Sequence, residues 1–524
     1  MRRNAKWFLV GFIIIIVFAV SILLNQNNNT SPTTLTTNMI EVDDGDLNIN
    51  WGNYQTKSIR LTSAITISES GIYHLTGTLY NGGITIKGDP KSKIKLILDN
   101  VAIYNSTGPA IACLSGDDLV VELVGENTLV DGSTYSEEYD EDVTGNIYSK
   151  ADLVFQGDGT ISITGQYQDA IVAKDDLTFR SGIYNITAAD DGIRGKDSVR
   201  VTNGSFFINA TNDAIKATND TEQHKGFVLI ENGDFDLSAG AKGIKATRLV
   251  SIKNGNFSIE TTDDSLHSDS FIRIEGGSIN ISAGDDAVHA NKELEITGGN
   301  LMIAKSYEGL EAQKVTITDG YISIAASDDG INAGGGADGS STNRPGQNIF
   351  DADEKCILAI NGGEVYVNAS GDGVDSNGWL YINGGRLIVD GPTNNGNGAL
   401  DAGIGIVMNG GEAIALGTSG MAENLGQTST INNISIFLNQ IYPANTTIEI
   451  RNSDGDSIVS HVSAKSFEHI AVGSPQFELG KTYSLYINEE LYANISISGI
   501  VTTFGDNHST PNNNMPNRAT NNRR

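Results

Sequence analysis

Cysteine is almost absent, with only Cys113 and Cys356 in 524 residues. They stand far apart in the sequence, so they are expected as buried free thiols and not a disulfide, and no metal-type Cys spacing exists. Positive charge is also scarce. The 34 Lys and Arg face 64 Asp and Glu, for a formal charge of −30 and a pI near 4.5. That balance excludes nucleic acid as a partner, because its recognition needs a basic footprint. No nucleophile elbow, phosphate loop or His-rich metal motif occurs. No window has helical spacing, which excludes an α-helical core. Aromatic platforms are few: Tyr167, Tyr307, Trp379 and Tyr381 are candidates, each more often a packing residue than a sugar platform.

What the chain has in abundance is glycine, 60 residues, and a repeat. The stretch A-A-D-D-G-I-R-G-K-D-S-V-R-V-T-N-G-S-F-F-I-N-A, 188–210, is one copy. With the acidic position as anchor, copies fall at Asp169, Asp191, Asp213, Lys242, Asp264, Asp286, Glu308, Asp329 and Asp372, mostly 22 residues apart. Two longer steps carry insertions, after Ala217 and after Ala333. Alternation and β-branched content indicate strands, and each unit fits three of them. In the copy at Asp191 they are expected near Ile193–Gly195, Val199–Val201 and Phe206–Ile208. A fixed period of this kind predicts a parallel β-helix, one coil per repeat, with coils stacked at roughly 4.8 Å. The aliphatic residue two after each anchor (Ile171, Ile193, Ile215 and onward) forms one interior ladder, and a small residue two further on forms a second. The Gly just after the anchor (Gly192, Gly243, Gly309, Gly330, Gly373) is expected at a corner of positive φ.

Along the chain, residues 1–25 hold three basic residues and then eighteen uncharged, mostly apolar ones. They read as a membrane anchor or a signal peptide, and either places the rest outside the membrane. No Cys follows the run, which argues against a lipoprotein anchor. Residues 26–55 read as a flexible Asn/Thr-rich spacer. Residues 56–417 are the β-helix, with irregular first coils over 56–150 and a solvated acidic loop from Gly132 to Asn146. Residues 418–501 read as an appended antiparallel β unit, and 502–524 as a disordered tail.

The chemistry is expected on the outside. The anchor acids stack into a column, several doubled by the preceding residue: Asp190, Asp191, Asp213, Asp263, Asp264, Asp285, Asp286, Glu308, Asp328, Asp329 and Asp372. Unit charges ~4.8 Å apart repel by about 3.5 kcal/mol at an effective dielectric of 20, so the column needs donors, raised pKa values or cations. Carboxylates at this density suit Ca²⁺, while capping of each turn by its own Asp is the plainer alternative. Lys242 interrupts the column and can itself replace a cation there. Three residues after each anchor, an outward ladder reads Val172, Arg194, Lys216, Lys245, His267, His289, Glu311, Asn332 and Asp375. Two further on come Lys174 and Lys196. This basic patch suits a polymer bearing carboxylates, or it merely balances the acids next door.

The runs I-T-I-S-E-S-G-I-Y-H-L-T-G-T-L, A-I-V-A-K-D-D-L, A-D-D-G-I-R-G-K-D-S-V and S-D-D-G-I-N-A-G-G-G resemble a carbohydrate-binding β-helix family of bacterial, largely clostridial, cell-surface proteins. The resemblance covers roughly residues 56–501. It implies an all-β, right-handed parallel β-helix like that of polysaccharide lyases, calcium binding, and adhesion to cellulose and to pectin-type acidic glycans. The chain is expected as a monomer on the outer side of a bacterial, Gram-positive plasma membrane. The expected ligand-binding residues are Lys174, Arg194, Lys196, Lys216, Lys245, His267 and His289. Two other functions stay open: a calcium-dependent lyase with Arg194 or Lys216 as base, and a purely structural adhesin.

Overall fold

The computed structural model describes residues 39, 40, 42, 49–334 and 352–506. The apolar N-terminal segment, most of the spacer, the Gly-rich insertion and nearly all of the tail lie outside the described residues. No helix among the described residues is long and apolar enough to cross a membrane.

The repeat winds into a parallel β-solenoid of about 15 turns. The unit at Asp191 contributes strands Ile193–Gly195, Ser198–Val201 and Ser205–Ala210, within two residues of the expected positions. Each pairs in parallel with its equivalent one coil on, so Ile193 faces Ile215, Val199 faces Val228 and Phe206 faces Phe235. Because register is kept, like stacks on like. Ile171, Ile193, Ile215, Ile244, Leu266, Val288, Leu310, Ile331 and Val374 are all fully buried, and the small-residue ladder beside them is buried too. The third strands add an interior ring stack, with Tyr184, Phe206, Phe235 and Phe257 spaced by 4.8, 4.9 and 4.6 Å between centroids.

The glycine expectation is corrected. None of Gly192, Gly243, Gly309, Gly330 and Gly373 has positive φ; the same corner takes Ala170, Ala214 and Ala287 in other coils. Glycine fits there because the coil above is close: a Cβ on Gly243 would lie 2.5 Å from the Ser265 carbonyl oxygen. Positive φ occurs instead at the N-G and G-G turns before the third strand, for example +129° at Gly255 and +92° at Gly277.

The irregular first coils are genuine coils. Thr56–Arg60 pairs in parallel with Gly71–Leu79, and the long strand Lys93–Tyr104 serves two ladders at once, pairing with both Asp118–Val124 and Glu126–Val130. The acidic loop is not simply solvated: Tyr135 stacks on Tyr167 at 4.4 Å, and Val143 packs with Tyr148 and Val172. Within the stretch read as spacer, Ile40 and Val42 pack on Phe227, Leu229 and Leu249, across the outer face of the second strands. At the other end, Phe467–Gly473 runs antiparallel to the last solenoid strand, Glu412–Gly417. It pairs with Asn433–Tyr442, which in turn pairs with Val501–Phe504, so sheet continues past the point where the tail was expected. A separate four-stranded antiparallel sheet completes this unit. Cys113 and Cys356 are buried and free.

Candidate cation site and binding faces

The anchor carboxylates point along the solenoid axis and not into solvent. Oδ1 of each Asp anchor accepts the backbone N–H at the same position one coil on: Asp169 from Asp191 at 3.2 Å, Asp191 from Asp213 at 3.2 Å and Asp213 from Lys242 at 3.0 Å. Asp264 accepts from Asp286 at 3.1 Å, and Asp286 from Glu308 at 3.2 Å. The turn-capping alternative is therefore present in a particular form, each acid capping the coil above. All these carboxylates are buried, so their charge must be met locally.

The second oxygen shows how. Arg194 Nη2 lies 2.6 Å from Asp169 Oδ2, and Lys216 Nζ lies 2.5 Å from Asp191 and 3.3 Å from Asp213. Lys242 Nζ sits 3.0 Å from Asp263 and 2.6 Å from Asp264. His267 Nδ1 is 2.8 Å from Asp264. His289 Nδ1 is 3.1 Å from Asp286 and 2.8 Å from Glu311. Asn332 then donates to Glu308 at 3.0 Å. The ladder and the column are thus two halves of one charge stack.

This corrects the expectation of an exposed basic patch. His289 is only 1% exposed and His267 9%; the Lys216 side chain is 15% exposed and that of Arg194 26%. Burial pulls the Lys216 and Lys242 ammonium groups down, but the facing Asp residues outweigh it and leave both above the ordinary lysine value. Burial likewise disfavours charge on His289, and Asp286 and Glu311 overcome it, holding the imidazole well above its usual range. Of the seven expected ligand-binding residues, Lys174, Lys196 and Lys245 stay partly or largely accessible and outside this tight pairing.

Beyond Glu311 the stack changes character. The ladder continues as Asn332, Asp375 and Asp401, Cα partners in successive coils, so acids replace cations. Asp329, Asp372, Asp375, Asp401 and Glu423 come together here, and among the described residues none of them pairs with Lys, Arg or His. Burial, then repulsion from Asp372 and Asp401, pushes Asp375 up to about 8. Burial and Asp401 push Glu423 up to about 7. Burial raises Asp372 to about 6, against the donated Gly398 N–H. The Oδ1 atoms of Asp328 and Asp329 converge on Gly371 so closely that a Cβ there has no room. An all-oxygen donor set without a counter-charge fits Ca²⁺.

The expected metal residues thus divide. Asp191, Asp213, Asp263, Asp264, Asp286 and Glu308 have protein partners, and although carboxylate oxygens of Asp169, Asp190 and Asp191, or of Asp263, Asp264 and Asp285, lie within 4.8 Å of one another, Arg194, Lys216 and Lys242 already occupy those neighbourhoods. Asp328, Asp329 and Asp372 belong to the cation-poor end. Asp375, read as an outward ladder residue, was missed as a metal ligand, and Asp401 and Glu423 were missed because they fall beyond the last anchor; the reversal of charge along the ladder was the available signal. Phe207, 50% exposed on the third-strand face, was missed as well. The pair Phe206–Phe207 in an alternating strand was its signal, since one of two adjacent rings must face out.

Residues 62–309 match the model of the family described as carbohydrate-binding domain-containing protein. A protein of that description from Acetivibrio thermocellus is 29% identical over 127 residues, 24% of this chain and 44% of the relative, so the match spans under half of that protein. Among solved structures, the polysaccharide lyase-like protein from C. thermocellum, as a gadolinium derivative, is 24% identical, with a TM-score of 0.39 over 46% of this chain and 96% of its own. Residues 62–309, a little under half of the chain, are thus similar to the carbohydrate-binding domain family that the sequence resembles.

Proposed function

We propose that this chain is a cell-surface polysaccharide-binding protein whose solenoid is completed by calcium at its cation-poor end. The observation that carries binding over catalysis is the pairing of Arg194 and Lys216. A β-eliminating base must be free of its proton near neutral pH, yet Arg194 is engaged by buried Asp169, and Lys216 is paired with buried Asp191 and Asp213, which hold its ammonium above the ordinary lysine value. Asp329, Asp372, Asp375, Asp401 and Glu423 would hold the calcium. Bound there, the ion supplies positive charge where coils below use Arg, Lys and His. A uronate-bearing glycan is supported by Lys174, Lys196 and Lys245, the ladder cations left accessible. The apolar run in residues 1–25 supports tethering outside the membrane.

The test is calorimetric titration of the full chain with polygalacturonate, and separately with a soluble neutral glucan, first in Ca²⁺ and then in chelator. Binding of either polymer without release of unsaturated uronate is the expected result. Release of unsaturated product would restore the lyase, and failure to bind any polysaccharide would sink the proposal.

A further inference from the structure

The outer face of the third strands is an open surface of the solenoid. In Ile183–Ala188, Ser205–Ala210, Asp234–Ala239 and Asn256–Thr261, inward residues are buried and outward ones largely exposed. In-register pairing from Thr160–Gly165 to Ser278–Ser282 aligns the outward residues in three columns of six. The middle column reads Ser162, Asn185, Phe207, Asp236, Ser258 and Asn280. None of the eighteen residues is Lys or Arg, and three are acids: Asp234, Asp236 and Glu260.

Phe207 is the one ring on this lattice. Its neighbour Phe206 is locked into the interior stack between Tyr184 and Phe235, so the strand cannot turn Phe207 inward. The ring stands between two shallow grooves and lines both. One, of about 460 Å³, includes Asn185, Thr187, Asn209 and Ser238; the other, of about 370 Å³, includes Asn256, Ser258 and Asn280. Among the described residues, the side chains of Asn185, Asn209, Asp236 and Ser258 make no hydrogen bond. They therefore offer free donors and acceptors at intervals of roughly 4.8 Å along the axis.

We propose that this face, centred on Phe207, is a binding subsite for a neutral, extended glycan, a deepening that rests on the carbohydrate-binding reading. The C–H face of one sugar ring covers Phe207, which removes the ring from water. Hydroxyl groups of that sugar and its neighbours bond Asn185, Asn209, Asp236 and Ser258. Charge selects the class. Three carboxylates without a cation repel a polyuronate at short range and accept hydrogen bonds from hydroxyl groups at no such cost. Neutral and acidic glycans thus address different faces, the acidic ones going to Lys174, Lys196 and Lys245.

The experiment is affinity electrophoresis of the full chain in gels containing soluble mixed-linkage β-glucan or polygalacturonate, for wild type, Phe207→Ala and Phe207→Trp. The expected result is about a tenfold or greater weakening on β-glucan for Phe207→Ala, retention by Phe207→Trp, and no change on polygalacturonate. Wild-type affinity of Phe207→Ala for β-glucan overturns the subsite while leaving carbohydrate binding intact, as does loss confined to polygalacturonate. A wild-type chain retarded in neither gel overturns the carbohydrate-binding reading itself, and this subsite with it.

Discussion

Replacing Lys242 with Met isolates the principle on which the charge stack is built. Methionine preserves much of the side-chain volume while removing the one ammonium that stands in the anchor column. The Lys242 side chain is 14% exposed and its close partner Asp264 5% exposed, with 2.6 Å between Nζ and Oδ2. At that distance the gross attraction is about 6 kcal/mol at an effective dielectric of 20. Desolvation of both groups offsets most of it, but removing one partner leaves the other buried and uncompensated, which costs roughly 3–5 kcal/mol. Asp263, with a side chain 40% exposed, is solvated and adds little.

The pH dependence follows from the signs. Burial opposes charge on Asp264, but His267 and Lys242 prevail and hold it well below the ordinary carboxylate range. Its contribution is present above the unfolded value of about 4 and is lost as pH falls through the folded one. Lys242 is raised, so its contribution is present below about 10.4 and is lost as pH rises through the folded value. The difference between wild type and Lys242→Met should be flat between about pH 5 and 10 and narrow outside that window. Urea denaturation in chelator, followed by circular dichroism at several pH values, measures it. A cost below about 1 kcal/mol at pH 7 would refute the claim that Lys242 is the column's internal counter-ion.

Three further outcomes are expected. In chelator, the midpoint of thermal unfolding should fall as pH rises from about 4 to 8, because the raised acids of the cation-poor end hold protons that the unfolded chain releases; a two-unit shift such as that of Asp372 corresponds to about 3 kcal/mol. Calcium at a hundred times its dissociation constant should restore about 2.7 kcal/mol at pH 8, and calorimetry showing a midpoint that rises with pH in chelator, or ignores calcium, would count against the site. Nitrogen NMR should find His289 still an imidazolium at pH 7, its contribution being present below about 6.5 and lost only as pH climbs through the raised folded value; a neutral ring would contradict the pairing with Asp286 and Glu311. Phe206→Ala should cost roughly 3–5 kcal/mol in denaturant titration, whereas Phe207→Ala should stay within about 0.5 kcal/mol. Equal costs would mean the two rings do not face opposite sides of the strand.

The solenoid was legible because its period is written in side-chain size. Ile193, Gly195 and Phe206 recur as residues of like bulk one coil on, and stacking in register needs nothing more. Depth was not legible. His267 and His289 occupy the same outward register as Arg194, and only the folded coils show that Asp264, Asp286 and Glu311 enclose them. Nor could the period reach Glu423, which lies past the last repeat and meets Asp375 and Asp401 only when the chain folds back over the end.

The two missed features have a common cause. A buried column of charged acids needs positive charge beside it, and between Asp169 and Asp286 this comes from Arg194, Lys216, His267 and His289 of the ladder and from Lys242 of the column itself. Cations held this way are unavailable to a ligand, so on the basic face binding falls to Lys174, Lys196 and Lys245, which stand outside the pairing. Recognition of a neutral glycan is then expected where the fold leaves uncharged polar groups unpaired, which is the third-strand face around Phe207. A metal is expected where the ladder stops supplying cations, at Asp375 and Asp401. On the proposed reading, calcium at that end continues, with an ion from solution, the neutralisation that Lys242 performs within the chain.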